Sequence, residues 1–122
     1  MPDLILVVDD DDMNREVIEA FLLLAEYRVA QARDGTEGLE LARRLRPDLL
    51  LLDVRLPDLS GYEVCRQLKG DPSTQAIPII LVSGYAGEDV AQTVQASGAD
   101  GFLERPFTSA QLLDAVRQHL PI

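Results

Sequence analysis

Cysteine, basic residues and long apolar runs are all scarce in this sequence, and each shortage excludes a class of protein. The single cysteine, Cys65, rules out an internal disulfide framework and is typical of a reducing compartment. No apolar stretch approaches the roughly 20 residues that cross a bilayer, and no basic segment precedes an apolar run at the N-terminus. The sequence therefore predicts a cytoplasmic protein that does not span a membrane.

The charge balance is strongly acidic, with 11 lysine and arginine residues against 21 aspartate and glutamate residues and a net charge of -10. This balance disfavours direct binding to nucleic acid or to anionic lipid. Internal repeats, linkers and glycine-rich phosphate loops are also missing from the sequence. A chain of 122 residues, 47% of them hydrophobic, is long enough for one core, and it ends directly after the last predicted helix. We therefore expect a single domain, residues 1–122, without an output domain.

Apolar runs that favour strands alternate five times with amphipathic stretches that favour helices. The predicted strands cover residues 4–8, 27–32, 48–52, 77–82 and 101–103. The predicted helices cover residues 13–25, 36–45, 61–69, 87–96 and 109–120. Alternation of this kind predicts a parallel sheet, and right-handed crossovers then place helices on both of its faces. The predicted fold class is therefore α/β, a three-layer, doubly wound sheet of five parallel strands.

Aspartates come at the ends of two predicted strands. Asp9 and Asp10 follow the first strand, and Asp53 follows the third. The carboxyl ends of parallel strands open into a crevice at one edge of the sheet, where ligands bind. Carboxylates that converge there repel one another unless a cation joins them, and Mg2+ prefers such oxygen ligands. The next two acids, Asp11 and Asp12, are predicted only to cap the first helix.

Further residues after the same strands are typical of one known family. An acidic pair follows the first strand, and a Ser-Gly pair follows the fourth. The motif residues at this edge are Asp9, Asp10, Asp53, Pro57, Gly61, Ser83, Gly84, Pro106 and Phe107. With these motifs the chain resembles a response-regulator receiver domain of two-component signal transduction, over essentially its whole length. The resemblance implies a flavodoxin-like strand order of 2-1-3-4-5.

The resemblance also implies a phosphorylation site. Asp53 would be the nucleophile that accepts a phosphoryl group, with Mg2+ drawing charge from the transferring oxygens. Asp9, Asp10 and Asp53 would hold the ion together with the backbone carbonyl of Arg55. The hydroxyl of Ser83 would donate a hydrogen bond to a phosphoryl oxygen.

The expected conformational switch and the main departure from the family lie on the fourth and fifth strands. The resemblance implies that Ser83 moves toward the phosphoryl group and that an aromatic residue, here Phe102, follows; a plain core role for Phe102 stays open. Arg105 stands where the family has lysine, before Pro106, and the bond between them is expected to be cis. A guanidinium keeps the positive charge but is longer and planar. Arg105 is predicted either to stabilise the phosphoryl group or to pair with Asp53 and block phosphorylation.

Three functions are compatible with these residues. The first is a phosphorylation-activated switch, which takes its phosphoryl group from a phosphohistidine on a histidine kinase or phosphotransfer protein and catalyses only its own phosphorylation and dephosphorylation. Its downstream target would bind the predicted fourth helix, fifth strand and fifth helix. The second is a phosphorylation-independent adaptor in which Arg105 pairs with Asp53. The third, a metal-dependent hydrolase, is disfavoured because no second aspartate lies two residues after Asp53.

Overall fold

The computed structural model describes residues 2–84 and 97–120 of the chain. These residues contain the strands β1 (Leu4–Val8), β2 (Arg28–Ala32), β3 (Leu49–Asp53), β4 (Ile79–Ser83) and β5 (Gly101–Glu104). They also contain the helices α1 (Asp12–Leu24), α2 (Gly35–Leu45), α3 (Gly61–Lys69) and α4 (Ser109–His119). The helix predicted at 87–96 lies outside the described residues, so α4 is the helix predicted as the fifth. Among the described helices, none is long and apolar enough to span a bilayer.

The strands form one parallel five-stranded sheet in the order β2-β1-β3-β4-β5. The predicted fold class and strand order are therefore confirmed. The register places Val8 of β1 opposite Leu52 of β3, and Asp53 of β3 opposite Val82 of β4. The central strands consequently end side by side at one edge of the sheet.

Side chains alternate between the two faces of the sheet and build a hydrophobic core on each. The core under α2 and α3 includes Leu6, Val8, Leu39, Leu50, Leu52, Val64 and Leu68. The core under α1 and α4 includes Ile5, Val7, Ile18, Leu22, Leu49, Leu51, Leu112 and Val116. Because both faces are covered, β1 and β3 consist of continuous apolar runs, apart from the aspartate that ends β3.

Several strand boundaries differ from the prediction by one or two residues, among them the end of β3 and the start of β4. Asp53 is the last residue of β3 rather than the first residue after it. Strand β4 begins at Ile79, later than predicted, because Pro78 has no N–H to donate to the ladder. The N–H of Ile77 is also held in the preceding turn by a 3.0 Å hydrogen bond to the carbonyl of Thr74. Both shifts leave the carboxyl ends of the strands at the same edge.

The two acids at the start of α1 have different contacts. The side chain of Asp11 accepts hydrogen bonds from the backbone N–H groups of Met13 (2.9 Å) and Asn14 (3.2 Å), which confirms the predicted cap. Asp12 is the first helical residue, and its carboxylate forms an ion pair with Arg15. Asp12 thus complements the helix dipole from the first turn, as predicted, and it also binds the buried guanidinium one turn away, which the sequence did not indicate.

Candidate functional site

A crevice of about 460 Å3 opens at the carboxyl edge of the sheet. Backbone hydrogen bonds fix its walls, because the N–H of Asp9 donates to the carbonyl of Ala32 (3.1 Å) and the N–H of Arg105 donates to the carbonyl of Ser83 (2.8 Å). The described residues that line it are Asp9, Asp10, Asp11, Asn14, Asp53, Arg55, Gly84 and Arg105. The crevice thus brings together the predicted acids and both predicted arginines.

Three carboxylates converge in this crevice. Single oxygens of Asp9, Asp10 and Asp53 all lie within 4.8 Å of one another. Asp9 and Asp53 are buried, whereas Asp10 is exposed and keeps the cluster open to solvent. Carboxylate oxygens with access to water are the donors that Mg2+ prefers, since this ion retains several of its water ligands. The residues present therefore fit a divalent cation.

The environment of Asp53 disfavours its ionised form. Its pKa is raised to about 6, first by burial of the carboxyl group and then by the charge of Asp9. The positive charge of Arg105 and a 3.3 Å hydrogen bond from the backbone N–H of Arg55 act in the opposite direction. A cation bound among these acids would relieve their mutual repulsion and favour ionised Asp53.

Arg105 reaches into the acidic cluster from the loop after β5. Its Nη2 forms an ion pair with Oδ2 of Asp9, and its Nη1 lies 3.6 Å from Oδ1 of Asp53. The peptide bond between Arg105 and Pro106 is cis, as the resemblance implies. The guanidinium therefore contacts two of the acids, and its closer partner is Asp9, which the sequence did not indicate.

The family model of the response regulator receiver domain matches residues 5–117. The chain belongs to this family. Response regulator PleD of Caulobacter vibrioides is 43% identical over 114 residues, which are 93% of this chain. This receiver domain spans 25% of the length of PleD. The polar-differentiation response regulator DivK of Brucella anthropi is 30% identical over 120 residues, which are 98% of each chain.

Solved receiver structures share the fold. Chemotaxis protein CheY4 of Vibrio cholerae has a TM-score of 0.93 at 29% identity, with 98% of this chain and 100% of that chain covered. The receiver domain of sensor histidine kinase PA1611 of Pseudomonas aeruginosa, solved with a magnesium ion coordinated in its active-site cleft, has a TM-score of 0.90 at 32% identity, with 98% of each chain covered. 

Receiver domains are signalling modules of two-component systems and are generally not enzymes. They are typically phosphorylated on an aspartate and use Mg2+ at an acidic pocket. They interact with histidine kinases or phosphotransfer proteins and with downstream targets.

A tight contact between α3 and the end of β3 explains Gly61 in this receiver domain. A Cβ atom at residue 61 would lie 2.2 Å from the carbonyl oxygen of Asp53 and 2.8 Å from Cα of Val54. The N–H of Gly61 also donates to the carbonyl of Val54, at 2.8 Å. Glycine therefore allows α3 to begin directly against the backbone of residue 53.

The two predicted switch residues lie in different surroundings. Ser83 is the buried last residue of β4, and its neighbour Gly84 lines the crevice. Phe102 of β5 lies opposite Leu81 of β4 and packs against the core under α2 and α3. Phe102 is not among the described residues that line the crevice. Phe102 is partly buried, so both its switch role and the core role that the sequence left open remain predictions.

Arg15 is a positioning residue of the receiver domain that the sequence analysis missed. Its buried side chain donates from Nη1 to the backbone carbonyl of Asp9 (2.5 Å) and from Nε to Oε1 of Gln31 (3.0 Å). A signal was present, because Arg15 precedes Ile18 by three residues and Leu22 by seven, and so shares the buried face of α1. A guanidinium on that face requires polar partners, and it finds them in the strand end that carries the first acid.

Proposed function

We propose that this receiver domain is a phosphorylation-activated switch whose phosphoryl acceptor is Asp53. The convergence of the Asp9, Asp10 and Asp53 carboxylates within 4.8 Å is the observation that supports it most strongly. The donor would be a phosphohistidine on a histidine kinase or phosphotransfer protein, the two classes with which receiver domains interact. The domain would catalyse only its own phosphorylation and dephosphorylation.

The reaction would be a single in-line displacement. An oxygen of the Asp53 carboxylate attacks phosphorus, and the new P–O bond forms as the P–N bond to the donor imidazole breaks. The electron pair of the broken bond stays on the imidazole nitrogen, and the product is an aspartyl phosphate. Asp9, Asp10, Asp53 and the carbonyl of Arg55 would hold Mg2+, which when bound draws charge from the transferring oxygens.

Two further groups would contact the phosphoryl group. The hydroxyl of Ser83, at the end of β4, would donate a hydrogen bond to a phosphoryl oxygen. The guanidinium of Arg105, which lies 3.6 Å from Oδ1 of Asp53, would neutralise phosphoryl charge. Because these contacts would form only after phosphorylation, they would favour a second conformation with a different affinity for its target. We propose that the target binds the surface of β5 and α4 together with residues 87–96. The side chain of Phe102 would move after Ser83 has moved toward the phosphoryl group.

The ion pair between Arg105 and Asp53 favours a second candidate, a phosphorylation-independent adaptor. In an adaptor the guanidinium would remain on Asp53 and would exclude a phosphoryl group. Partner binding then separates the two candidates, since an adaptor would bind equally well after Asp53→Asn, whereas a switch would lose its response to phosphorylation.

Intact-mass analysis after incubation with Mg2+ and a small acyl phosphate tests the proposal. The wild type should gain the mass of one phosphoryl group, and Asp53→Asn should not. Asp114→Asn, which removes an exposed acid on α4, is the matched control and should gain the same mass as the wild type. No gain in the wild type, together with a gain in Arg105→Lys, would instead support the adaptor.

A further inference from the structure

We infer that Arg105 competes with the divalent cation for Asp9, so that binding of the ion requires the guanidinium to leave this carboxylate. The inference deepens the proposed function and rests on it for the presence of a cation at the acidic cluster. It concerns the crevice position at which this chain has arginine and the resemblance implies lysine.

Both oxygens of the Asp9 carboxylate have partners. Oδ1 accepts a 2.9 Å hydrogen bond from the N–H of Asp11, and Oδ2 forms the ion pair with Nη2 of Arg105. The side chain of Asp9 is 2% exposed, so water screens these contacts little. Two positive charges at one buried carboxylate repel each other strongly. A cation therefore gains the full attraction of Asp9 only after the guanidinium has moved.

Asp9 itself is held in place by its backbone. Its N–H donates to the carbonyl of Ala32 at 3.1 Å, and its carbonyl accepts from Nη1 of Arg15 at 2.5 Å. Arg15 is buried and anchored in turn to Oε1 of Gln31 at 3.0 Å. The backbone is therefore held on both sides of the Asp9 Cα, and the N–H of Asp11 holds Oδ1 of its carboxylate. Replacement of the guanidinium by a cation at this carboxylate thus depends on movement of Arg105.

Arg105 has both space and a second partner for such a movement. Its side chain is 22% exposed, and it lines a neighbouring groove of about 300 Å3 between α1 and Phe107 as well as the acidic crevice. Its Nη1 also lies 3.6 Å from Oδ1 of Asp53. A guanidinium that leaves Asp9 can withdraw into the groove, away from both buried acids. The planar fork of arginine can serve two acids at once, whereas a lysine ammonium is a single point charge.

Calorimetric titration of the full chain with MgCl2, in the absence of any phosphoryl donor, tests the competition. Arg105→Met should bind Mg2+ roughly three- to tenfold more tightly than the wild type. Arg105→Lys keeps the charge but lacks the fork, and its affinity should fall between those two. Arg44→Met removes one positive charge from the exposed face of α2, outside the crevice, and is the matched control, with an expected change below about twofold.

Thermal unfolding supplies a second measurement and reports whether each variant folds. Without Mg2+, Arg105→Met leaves the buried Asp9 carboxylate without its guanidinium and should unfold at a lower temperature than the wild type. Saturating Mg2+ should then raise its midpoint more than it raises that of the wild type. If Arg105→Met does not fold, Arg105→Lys still decides the question.

Unchanged or weaker Mg2+ binding by the folded Arg105 variants would overturn the inference, and so would equal tightening by Arg44→Met. The titration contains no phosphoryl donor, so its result is separate from the test of phosphorylation. A domain that is phosphorylated on Asp53 but shows no effect of Arg105 on Mg2+ affinity would retain the proposed function and lose this inference alone.

Discussion

Among single residues, Asp53 opposes the stability of the fold at neutral pH. Asp53 is 6% exposed and lies beside Asp9, and its pKa is raised to about 6 from 3.8. An acid with a raised pKa in the folded protein stays protonated there at pH values at which the unfolded chain has already ionised. The unfolded state then binds fewer protons, so stability falls as the pH rises from about 4 to about 6.

Asp53→Asn should remove this pH-dependent destabilisation. In EDTA at pH 8 we expect its free energy of unfolding to exceed that of the wild type by about 1–3 kcal/mol, and the difference should close below about pH 4. Urea unfolding across this pH range measures it. Asp114→Asn, on the exposed face of α4, should show no comparable difference. An Asp53→Asn variant no more stable than the wild type at pH 8 would contradict the prediction.

Among the elements, the loop after β3 is connected to α2 as well as to α3. Oδ1 of Asp58 accepts a hydrogen bond from the N–H of Gly35 (2.8 Å), and Oδ2 accepts from the N–H (2.9 Å) and hydroxyl (2.5 Å) of Thr36. The hydroxyl of Thr36 is the largest cause that holds the pKa of Asp58 well below its usual range. The N-terminus of α2 therefore binds two acids, its own N-cap Asp34 and Asp58 from the loop beside the crevice.

Asp58→Ala should lower the midpoint of thermal unfolding by a few degrees at pH 7, because it removes partners from the first turn of α2. Since folding lowers this pKa, the stabilisation is fully present above the ordinary aspartate pKa of about 4 and is lost as the pH falls below it. Glu40→Ala is the control, since this exposed acid on α2 lies 3.6 Å from Arg44 and should contribute less. Equal midpoints for Asp58→Ala and the wild type at pH 7 would argue against the second cap.

The sequence predicted the elements well where burial alone decides them. The leucines of β3 are buried on both faces, so a continuous apolar run marked that strand. The end of β3 was less predictable, because the backbone of Asp53 continues the hydrogen-bond ladder of the sheet regardless of which side chain it carries. Contacts between charged residues distant in sequence were predicted only in part. The convergence of Asp9, Asp10 and Asp53 and the contact of Arg105 with Asp53 were predicted, but other contacts were not. The pairing of Arg105 with Asp9, for example, depends on side-chain geometry at two strand ends, which composition and periodicity do not specify.

Over the whole molecule, the net charge of -10 produces a negative electrostatic field that attracts cations of any kind. Any salt screens this field, whereas a cation that binds at the acidic cluster also contacts the carboxylates of Asp9, Asp10 and Asp53 directly. The general and the specific effects of a divalent cation should therefore separate when ionic strength is held constant.

MgCl2 should raise the midpoint of thermal unfolding more than NaCl of equal ionic strength. At ten times its dissociation constant, a ligand of the folded state adds about 1.4 kcal/mol to the free energy of unfolding. Asp10→Asn, which removes the exposed member of the cluster, should lose most of the difference between the two salts. A shift that NaCl reproduces in full would show screening alone.

The contact of Gly61 with the backbone of Asp53 determines which positions of this domain an engineer can vary. In a library read out by cellular abundance, position 61 should accept glycine alone, since any Cβ would overlap the carbonyl oxygen 2.2 Å away. Position 53 should accept several side chains, because α3 rests on its main chain. Silent or constitutively active forms of the domain can therefore be sought by exchanging Asp53, the proposed phosphorylation site, while the glycine eight positions later is kept unchanged.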